Sequence, residues 1–142
     1  MIKHLEHVGL SVSNLERSIA FYRNNLQMEV VRIIEADPAL GLDRVGGIPG
    51  CLARIAHRQK GRSMFELFEY RKPQGSEFPA DRRQCDHGLI HFGFASSDAR
   101  TDYQRLVATA VPFVSEPVEL RPGVWIAFFY RPDSEVYELR QT

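Results

Sequence analysis

A nine-residue stretch occurs twice in this chain, first as His7-Val8-Gly9-Leu10-Ser11-Val12-Ser13-Asn14-Leu15 and again, 84 positions later, as His91-Phe92-Gly93-Phe94-Ala95-Ser96-Ser97-Asp98-Ala99. Each copy has a histidine, an apolar residue, a glycine and a second apolar residue, then polar residues ending in Asn or Asp, which favour the start of a helix. A shorter pattern also recurs, as Met64-Phe65-Glu66-Leu67 and Val136-Tyr137-Glu138-Leu139. The sequence therefore predicts two related halves, each with a histidine and a glutamate at equivalent positions.

Both halves show the same predicted order of elements: a strand, a helix and three strands. The first helix begins after Asn14, and the second begins after Asp98 and ends by Pro112. The first helix has an apolar stripe of Leu15, Ile19, Tyr22 and Leu26. Strands are predicted at about 4–12, 28–34, 51–57, 63–70, 89–94, 113–120, 124–130 and 136–139. A loop is expected at 37–50 and a basic turn, interpreted as solvated surface, at 58–62.

The composition of the chain is typical of one globular domain that binds neither nucleic acid nor an anionic membrane. With 142 residues, we expect a single α+β domain over 1–142, with module one at about 1–70, a linker at about 71–85 and module two at about 86–142. Acidic and basic residues balance at 18 each, which disfavours binding to nucleic acid or to an anionic membrane. The two separate cysteines and the absence of a signal-like start predict a cytoplasmic location.

Four residues are candidates for a metal site. Glu66 is flanked by apolar residues on both sides, so its carboxylate would lose several kcal/mol of hydration unless it is paired with a cation. Alone, Glu138 is typical of a solvent-facing glutamate, and His91 is typical of a buried core histidine. The repetition changes this interpretation, because it places His7 and Glu66 in the same order and elements as His91 and Glu138. If a two-fold axis relates the halves, two imidazoles and two carboxylates converge on a divalent cation.

In these motifs the chain resembles the vicinal oxygen chelate superfamily, which includes glyoxalase I, methylmalonyl-CoA epimerase, extradiol dioxygenases, fosfomycin-resistance enzymes and bleomycin-binding proteins. The motifs that carry the resemblance lie at 7–22, 65–69, 88–94 and 129–139. The resemblance implies two βαβββ modules forming a cup-shaped, partly open β-barrel around a metal. It also implies that the ligands are His7, Glu66, His91 and Glu138 and that the protein is a homodimer with a small-molecule substrate.

The resemblance implies glyoxalase-like lyase or isomerase chemistry through a metal-stabilised enediolate on a small carbonyl substrate. Either Glu66 or Glu138 would be the catalytic base. The ion would be Fe, Mn, Ni, Co or Zn, which accept mixed nitrogen and oxygen ligands. One alternative is an Fe(II) extradiol-type dioxygenase, which uses two histidines and one carboxylate, so that Glu66 would be an additional ligand. A second is a metal-free, drug-sequestering protein, although such members have generally lost the ligand residues.

The chain departs from the family pattern at four places. Gln27 replaces the usual glycine at the end of the first helix, where a left-handed C-cap would cost about 1 kcal/mol more than with glycine. The turn usually written Asp-Pro-Asp-Gly is Arg131-Pro132-Asp133-Ser134. Ser11 and Tyr70 replace an arginine and an asparagine of glyoxalase I. In glyoxalase I, the arginine at the position of Ser11 binds a carboxylate of glutathione. We therefore do not identify the chain as glyoxalase I itself.

Overall fold

Each half of the chain forms a four-stranded sheet with one long helix in the computed structural model, which describes residues 2–37, 41–77, 79 and 81–142. The first unit, Met1–Glu77, contains β1 (Val8–Ser11), α1 (Leu15–Leu26), β2 (Glu29–Ala36), α2 (Leu42–Val45), β3 (Leu52–Lys60) and β4 (Ser63–Lys72). The second, Phe78–Thr142, contains β5 (Phe92–Ala95), α3 (Ala99–Ala108), β6 (Val118–Arg121), β7 (Val124–Tyr130) and β8 (Val136–Gln141). The predicted α+β fold of two βαβββ modules is confirmed, whereas the assignment of 1–142 to a single domain stays a prediction.

The two sheets repeat each other strand by strand. Their orders are β1-β4-β3-β2 and β5-β8-β7-β6, and in each sheet the first strand pairs in parallel with the last. Gly9 lies opposite Glu66 in the first sheet, and Gly93 lies opposite Glu138 in the second. The sequence repeat is therefore also a repeat of strand pairing.

Local signals in the sequence explain how α1 begins and which face it buries. The Asn14 side chain accepts a hydrogen bond from the Arg17 backbone N–H at 2.8 Å, which satisfies one of the helix's unpaired donors. Glu69 on β4 accepts another from the Leu15 backbone N–H at 3.0 Å and so ties the helix start to the sheet. The predicted apolar stripe is buried, at Leu15, Ile19, Tyr22 and Leu26. None of the helices that the structure describes combines the length and apolar composition needed to cross a bilayer.

Several predicted boundaries were wrong because pairing, not composition, sets the ends of a strand. β1 begins at Val8 and not near residue 4, since its parallel ladder with β4 covers only Val8–Ser11. The predicted strand at 113–120 is reduced to β6, with only an isolated bridge from Phe113 to Phe129 before it. The loop at 37–50 contains the short helix α2, and its residues 38–40 lie outside the described part of the chain.

Arg58 is buried, in contrast to the prediction that the basic turn is solvated. The turn itself is only Gly61-Arg62, and Arg58 lies in β3 as a fully buried side chain. Its Nη2 donates to the Met28 carbonyl, while its Nε and Nη1 have no hydrogen-bond partner among the described residues. Burial lowers the pKa of Arg58, because the charged form is poorly solvated there.

We expect Arg58→Met to raise the free energy of unfolding by about 1–4 kcal/mol, the range seen when buried ion pairs are replaced by hydrophobic residues of similar volume. The methionine would fill the same space without leaving two unsatisfied donors. Urea denaturation of both proteins at pH 7 measures the difference. A lower free energy of unfolding in the variant would show that Arg58 stabilises the fold through more than its bond to Met28.

The residue that ends α1, Gln27, adopts the left-handed conformation. Gln27 has φ 55° and ψ 38° at the C-cap of α1, and Ser134 has φ 71° in the turn where the family pattern has glycine. We expect Gln27→Gly to stabilise the protein by about 1 kcal/mol, because glycine adopts this conformation without steric cost. A rise in the urea midpoint with an unchanged slope would verify it. No rise would indicate that the Gln27 contact with Lys60 offsets the strain.

Candidate metal centre

His7 and Glu66 meet on one face of the first sheet. His7 immediately precedes β1, two residues before Gly9, so alternation along the chain directs it to the face on which Gly9 and Glu66 lie. Its Nε2 is 3.3 Å from Glu66 Oε2. The flanking Phe65 and Leu67 are buried on the opposite face, under α1. The carboxylate of Glu66 therefore has an imidazole partner, although the residues on either side of Glu66 in β4 are apolar.

His57 is a third member of this cluster, and the sequence analysis missed it. It lies on β3 directly opposite Glu66, and its Nε2 is 3.4 Å from Glu66 Oε1. The signal was present in the hairpin: with a two-residue turn at 61–62, the register pairs Lys60 with Ser63 and hence His57 with Glu66. The prediction assigned residues 58–62 to the turn, and a turn of that length does not place His57 opposite Glu66.

The second unit contains the equivalent pair, His91 and Glu138. His91 Nε2 is 3.9 Å from Glu138 Oε2. Glu138 is only 8% exposed, so the interpretation of this residue alone as solvent-facing was wrong. The position opposite Glu138 is occupied by Phe128, whose ring centroid lies 5.1 Å from that of His91. The second unit thus has an aromatic ring where the first has His57.

The other nitrogen of each histidine is held by a neighbouring acceptor. His7 Nδ1 lies 2.5 Å from Glu6 Oε2, and His91 Nδ1 lies 3.1 Å from Gln84 Oε1. The bond to Glu6 raises the pKa of His7; burial acts in the opposite direction, and the charge of Glu66 raises it further. Acceptors at Nδ1 fix the ring orientation and leave Nε2 toward the glutamate, as is usual for histidines that bind metals.

The glycine of the second repeat, but not that of the first, leaves room for the glutamate carboxylate. A Cβ atom on Gly93 would lie 3.0 Å from Glu138 Oε2, a tight contact that would push the carboxylate away. At Gly9 the nearest atom would be Phe68 Cε2 at 3.5 Å, which is an ordinary contact. The glycine of the second repeat is therefore part of the environment of Glu138.

Each unit brings together two side chains of the types that bind divalent cations, and the pair in the first unit has the spacing of two neighbouring ligands. Two neighbouring ligands of an octahedral ion with bonds of about 2.1 Å are about 3 Å apart. The 3.3 Å between His7 and Glu66 is close to this distance, whereas the 3.9 Å between His91 and Glu138 is longer. Imidazole nitrogen and carboxylate oxygen are common ligands of Fe, Mn, Ni, Co and Zn. Although His7 and His57 both lie beside Glu66, neither unit, as far as its residues are described, has three His, Cys, Asp or Glu side chains arranged to hold a metal ion by itself. That the two pairs converge on one ion stays a prediction.

The faces that carry these pairs also carry aromatic and polar surface. In the first unit, Phe68 and Tyr70 follow Glu66 on the same face with their rings stacked at 6.1 Å. In the second, Tyr130 and Val136 extend the face of Glu138. They line a pocket of about 110 Å³ together with Pro79, Arg82, Arg83, Gln84, Ile90 and Ser134.

The sequence of the chain is similar to that of a known protein superfamily. The sequence model of the Glyoxalase/Bleomycin resistance protein/Dioxygenase superfamily matches residues 4–137. None of the curated proteins compared with the chain matches its sequence.

Solved structures show the same fold at low sequence identity. A glyoxalase family protein from Bacillus cereus has a TM-score of 0.88 and 17% identity, covering 99% of this chain and 94% of that one. One from Enterococcus faecalis has a TM-score of 0.72 and 22% identity, covering 97% of each chain. Glyoxalase I from Zea mays has a TM-score of 0.68 and 20% identity, covering 96% of this chain and 44% of that one. Because the sequence model spans nearly the whole chain, the protein belongs to the glyoxalase/bleomycin resistance protein/dioxygenase superfamily.

Proposed function

We propose that the chain is a divalent-metal-dependent enzyme of glyoxalase-like type, with lyase or isomerase activity on a small carbonyl substrate. His7, Glu66, His91 and Glu138 would hold one ion. The observation that carries the proposal is the repeated pair, an imidazole Nε2 within 3.3 or 3.9 Å of a carboxylate oxygen at equivalent positions of two modules. A cytoplasmic homodimer is a further part of the proposal and rests on the sequence and the resemblance.

The proposed chemistry divides between the ion and the two glutamates. When bound, the ion would supply positive charge that stabilises the negative charge developing on two neighbouring oxygens of the substrate. Glu66 or Glu138 would accept the proton from the carbon next to the carbonyl.

The surroundings of Glu66 favour a substrate other than a glutathione adduct. Ser11, which shares the face of Glu66, lacks the charge that would bind a glutathione carboxylate. Tyr70, stacked on Phe68, presents an aromatic ring instead of an amide. The proposal is therefore restricted to small carbonyl compounds with two neighbouring oxygens, such as hydroxyketones.

Metal binding by the wild-type protein tests the proposal. Protein produced without a histidine tag would be stripped with a chelator, then titrated with Mn²⁺, Fe²⁺, Co²⁺, Ni²⁺ and Zn²⁺ while bound metal is measured by elemental analysis. We expect one ion per chain for at least one of these metals. Failure to bind any of the five would contradict the proposal and favour the metal-free binding protein.

A second candidate is an Fe(II) extradiol-type dioxygenase. The stacked rings of Phe68 and Tyr70 on the face of Glu66 favour it, because a flat catechol would pack well against such a surface. A four-ligand site argues against it, because Glu66 would take a position needed by catechol or dioxygen. Oxygen consumption by the Fe²⁺-loaded protein with catechol and its alkyl derivatives would identify the dioxygenase. No oxygen consumption with these compounds, together with metal binding, would favour the lyase or isomerase.

A further inference from the structure

We propose that His57 is a positioning residue that holds Oε1 of Glu66, so that Glu66 binds the cation through Oε2 alone. This inference rests on the proposed function, because it assumes a cation between His7 and Glu66. It adds a residue that lies outside both copies of the repeated motif, on a strand that supplies no ligand.

The geometry of Glu66 separates the roles of its two oxygens. His7 Nε2 is 3.3 Å from Oε2, whereas His57 Nε2 is 3.4 Å from Oε1. A cation shared by His7 and Glu66 would therefore lie on the Oε2 side. His57 would remain beside the other oxygen, where its imidazole restrains the carboxylate and opposes bidentate binding. Neighbouring side chains that restrain a ligating carboxylate tune metal affinity.

The fold leaves His57 little freedom to lie elsewhere. β3 is an inner strand, paired on both sides with β2 and β4, and His57 faces Glu66 directly in the second of these pairings. Its chain neighbours Ala56 and Arg58 are buried, which fixes the backbone on either side. Side chains directly opposite on antiparallel strands have Cβ atoms about 5 Å apart, close enough for a lasting contact.

The second unit provides a natural control for this role. Phe128 stands opposite Glu138 as His57 stands opposite Glu66, and a phenyl ring cannot donate a hydrogen bond to a carboxylate. The two halves are therefore chemically unequal at this position, although their ligand pairs are equivalent. His57→Phe copies into the first unit the residue that the second unit already tolerates at the equivalent place.

Two variants separate hydrogen bonding from the presence of the ring. Co²⁺ affinity of the tag-free protein would be measured by competition with a chromogenic chelator. We expect His57→Phe to weaken binding by about 10- to 100-fold, the usual effect of losing a partner of a ligand. His57→Gln, whose amide can place an N–H near the position of Nε2, should recover most of that loss. Thermal unfolding of the metal-free variants would check that both remain folded.

A count of imidazole ligands separates positioning from direct coordination. Pulsed EPR of the Cu²⁺-loaded protein should detect the same number of bound imidazoles in wild type and His57→Gln. A lower number in the variant would make His57 a ligand and overturn the inference. So would wild-type affinity in His57→Phe, or a loss in His57→Gln as large as that in His57→Phe. If the wild type bound no metal, the proposed function would fail, and this inference with it. If the wild type bound metal but the variants gave one of the contrary results above, only the inference about His57 would fail.

Discussion

Glu66→Ala and His91→Ala should each lower the affinity for a divalent cation by more than about 100-fold, because removing a ligand exceeds the 10- to 100-fold effect of removing a ligand's partner. Each substitution deletes one member of one pair, in a different unit of the fold. If the two pairs hold one ion, both variants lose the same ion. Elemental analysis after dialysis, and chelator competition for the same metal, would measure the loss.

Thermal stability gives a second measurement of the same prediction. A ligand at 100 times its Kd stabilises a folded protein by about 2.7 kcal/mol, so the wild type should melt at a higher temperature when metal is added and the two variants should not. His87→Ala is the matched control, because His87 is an exposed imidazole in the second unit. Near-wild-type affinity in either ligand variant would contradict a four-ligand site. Loss in Glu66→Ala alone would confine the ion to the first unit.

Local signals predicted most of the fold because they depend on few residues. Caps such as Asn14, the apolar stripe of α1 and the left-handed Gln27 are all decided within one or two helical turns. The duplication was visible because the same local signals occur twice. Strand ends were less well predicted, since the length of β1 depends on how far β4 offers a partner.

Burial could not be deduced in the same way. Glu138 has a tyrosine on one side and an arginine two residues beyond it, and nothing in that pattern indicates that its side chain is covered. Arg58, in a run of basic residues, has the composition of a surface turn but is a fully buried side chain of β3. In both cases the deciding fact is which face of a strand is covered, which is a property of the tertiary fold.

Only those residues of the candidate site that belong to the sequence repeat were predicted. His7, Glu66, His91 and Glu138 were found because each has a counterpart in the other half. His57 has no counterpart, since Phe128 takes its place, and Gln84 lies in the linker. A residue that supports the site in only one half cannot be found by comparing the two halves. It can be recognised only from the strand register or from coordinates.

Arg131→Met should lower the free energy of unfolding by about 3–5 kcal/mol at pH 7, because removing one partner leaves other buried charges uncompensated. The Arg131 side chain is fully buried in the turn before β8. Its Nη2 lies 2.6 Å from Glu135 Oε1, its Nε donates to Glu135 Oε2 at 2.7 Å, and its Nη2 donates to Asp133 Oδ2 at 3.0 Å. Methionine would keep much of the packing but none of these bonds. Urea denaturation of both proteins would measure the difference.

The cost of Arg131→Met should shrink as the pH falls. Burial raises the pKa of Glu135 above its usual value, and the charge of Arg131 partly offsets this rise. Without the guanidinium, the folded-state pKa of Glu135 rises further. As the pH falls through that pKa, the carboxyl of Glu135 becomes neutral in the folded variant. The variant therefore gains stability relative to wild type over that pH range. Adding Glu135→Gln to Arg131→Met should likewise recover part of the loss at pH 7. Arg121→Met, at an exposed arginine of β6, is the matched control and should change stability little. An equal loss at pH 7 and pH 5 would mean that Arg131 stabilises the turn by packing and not through its carboxylate partners.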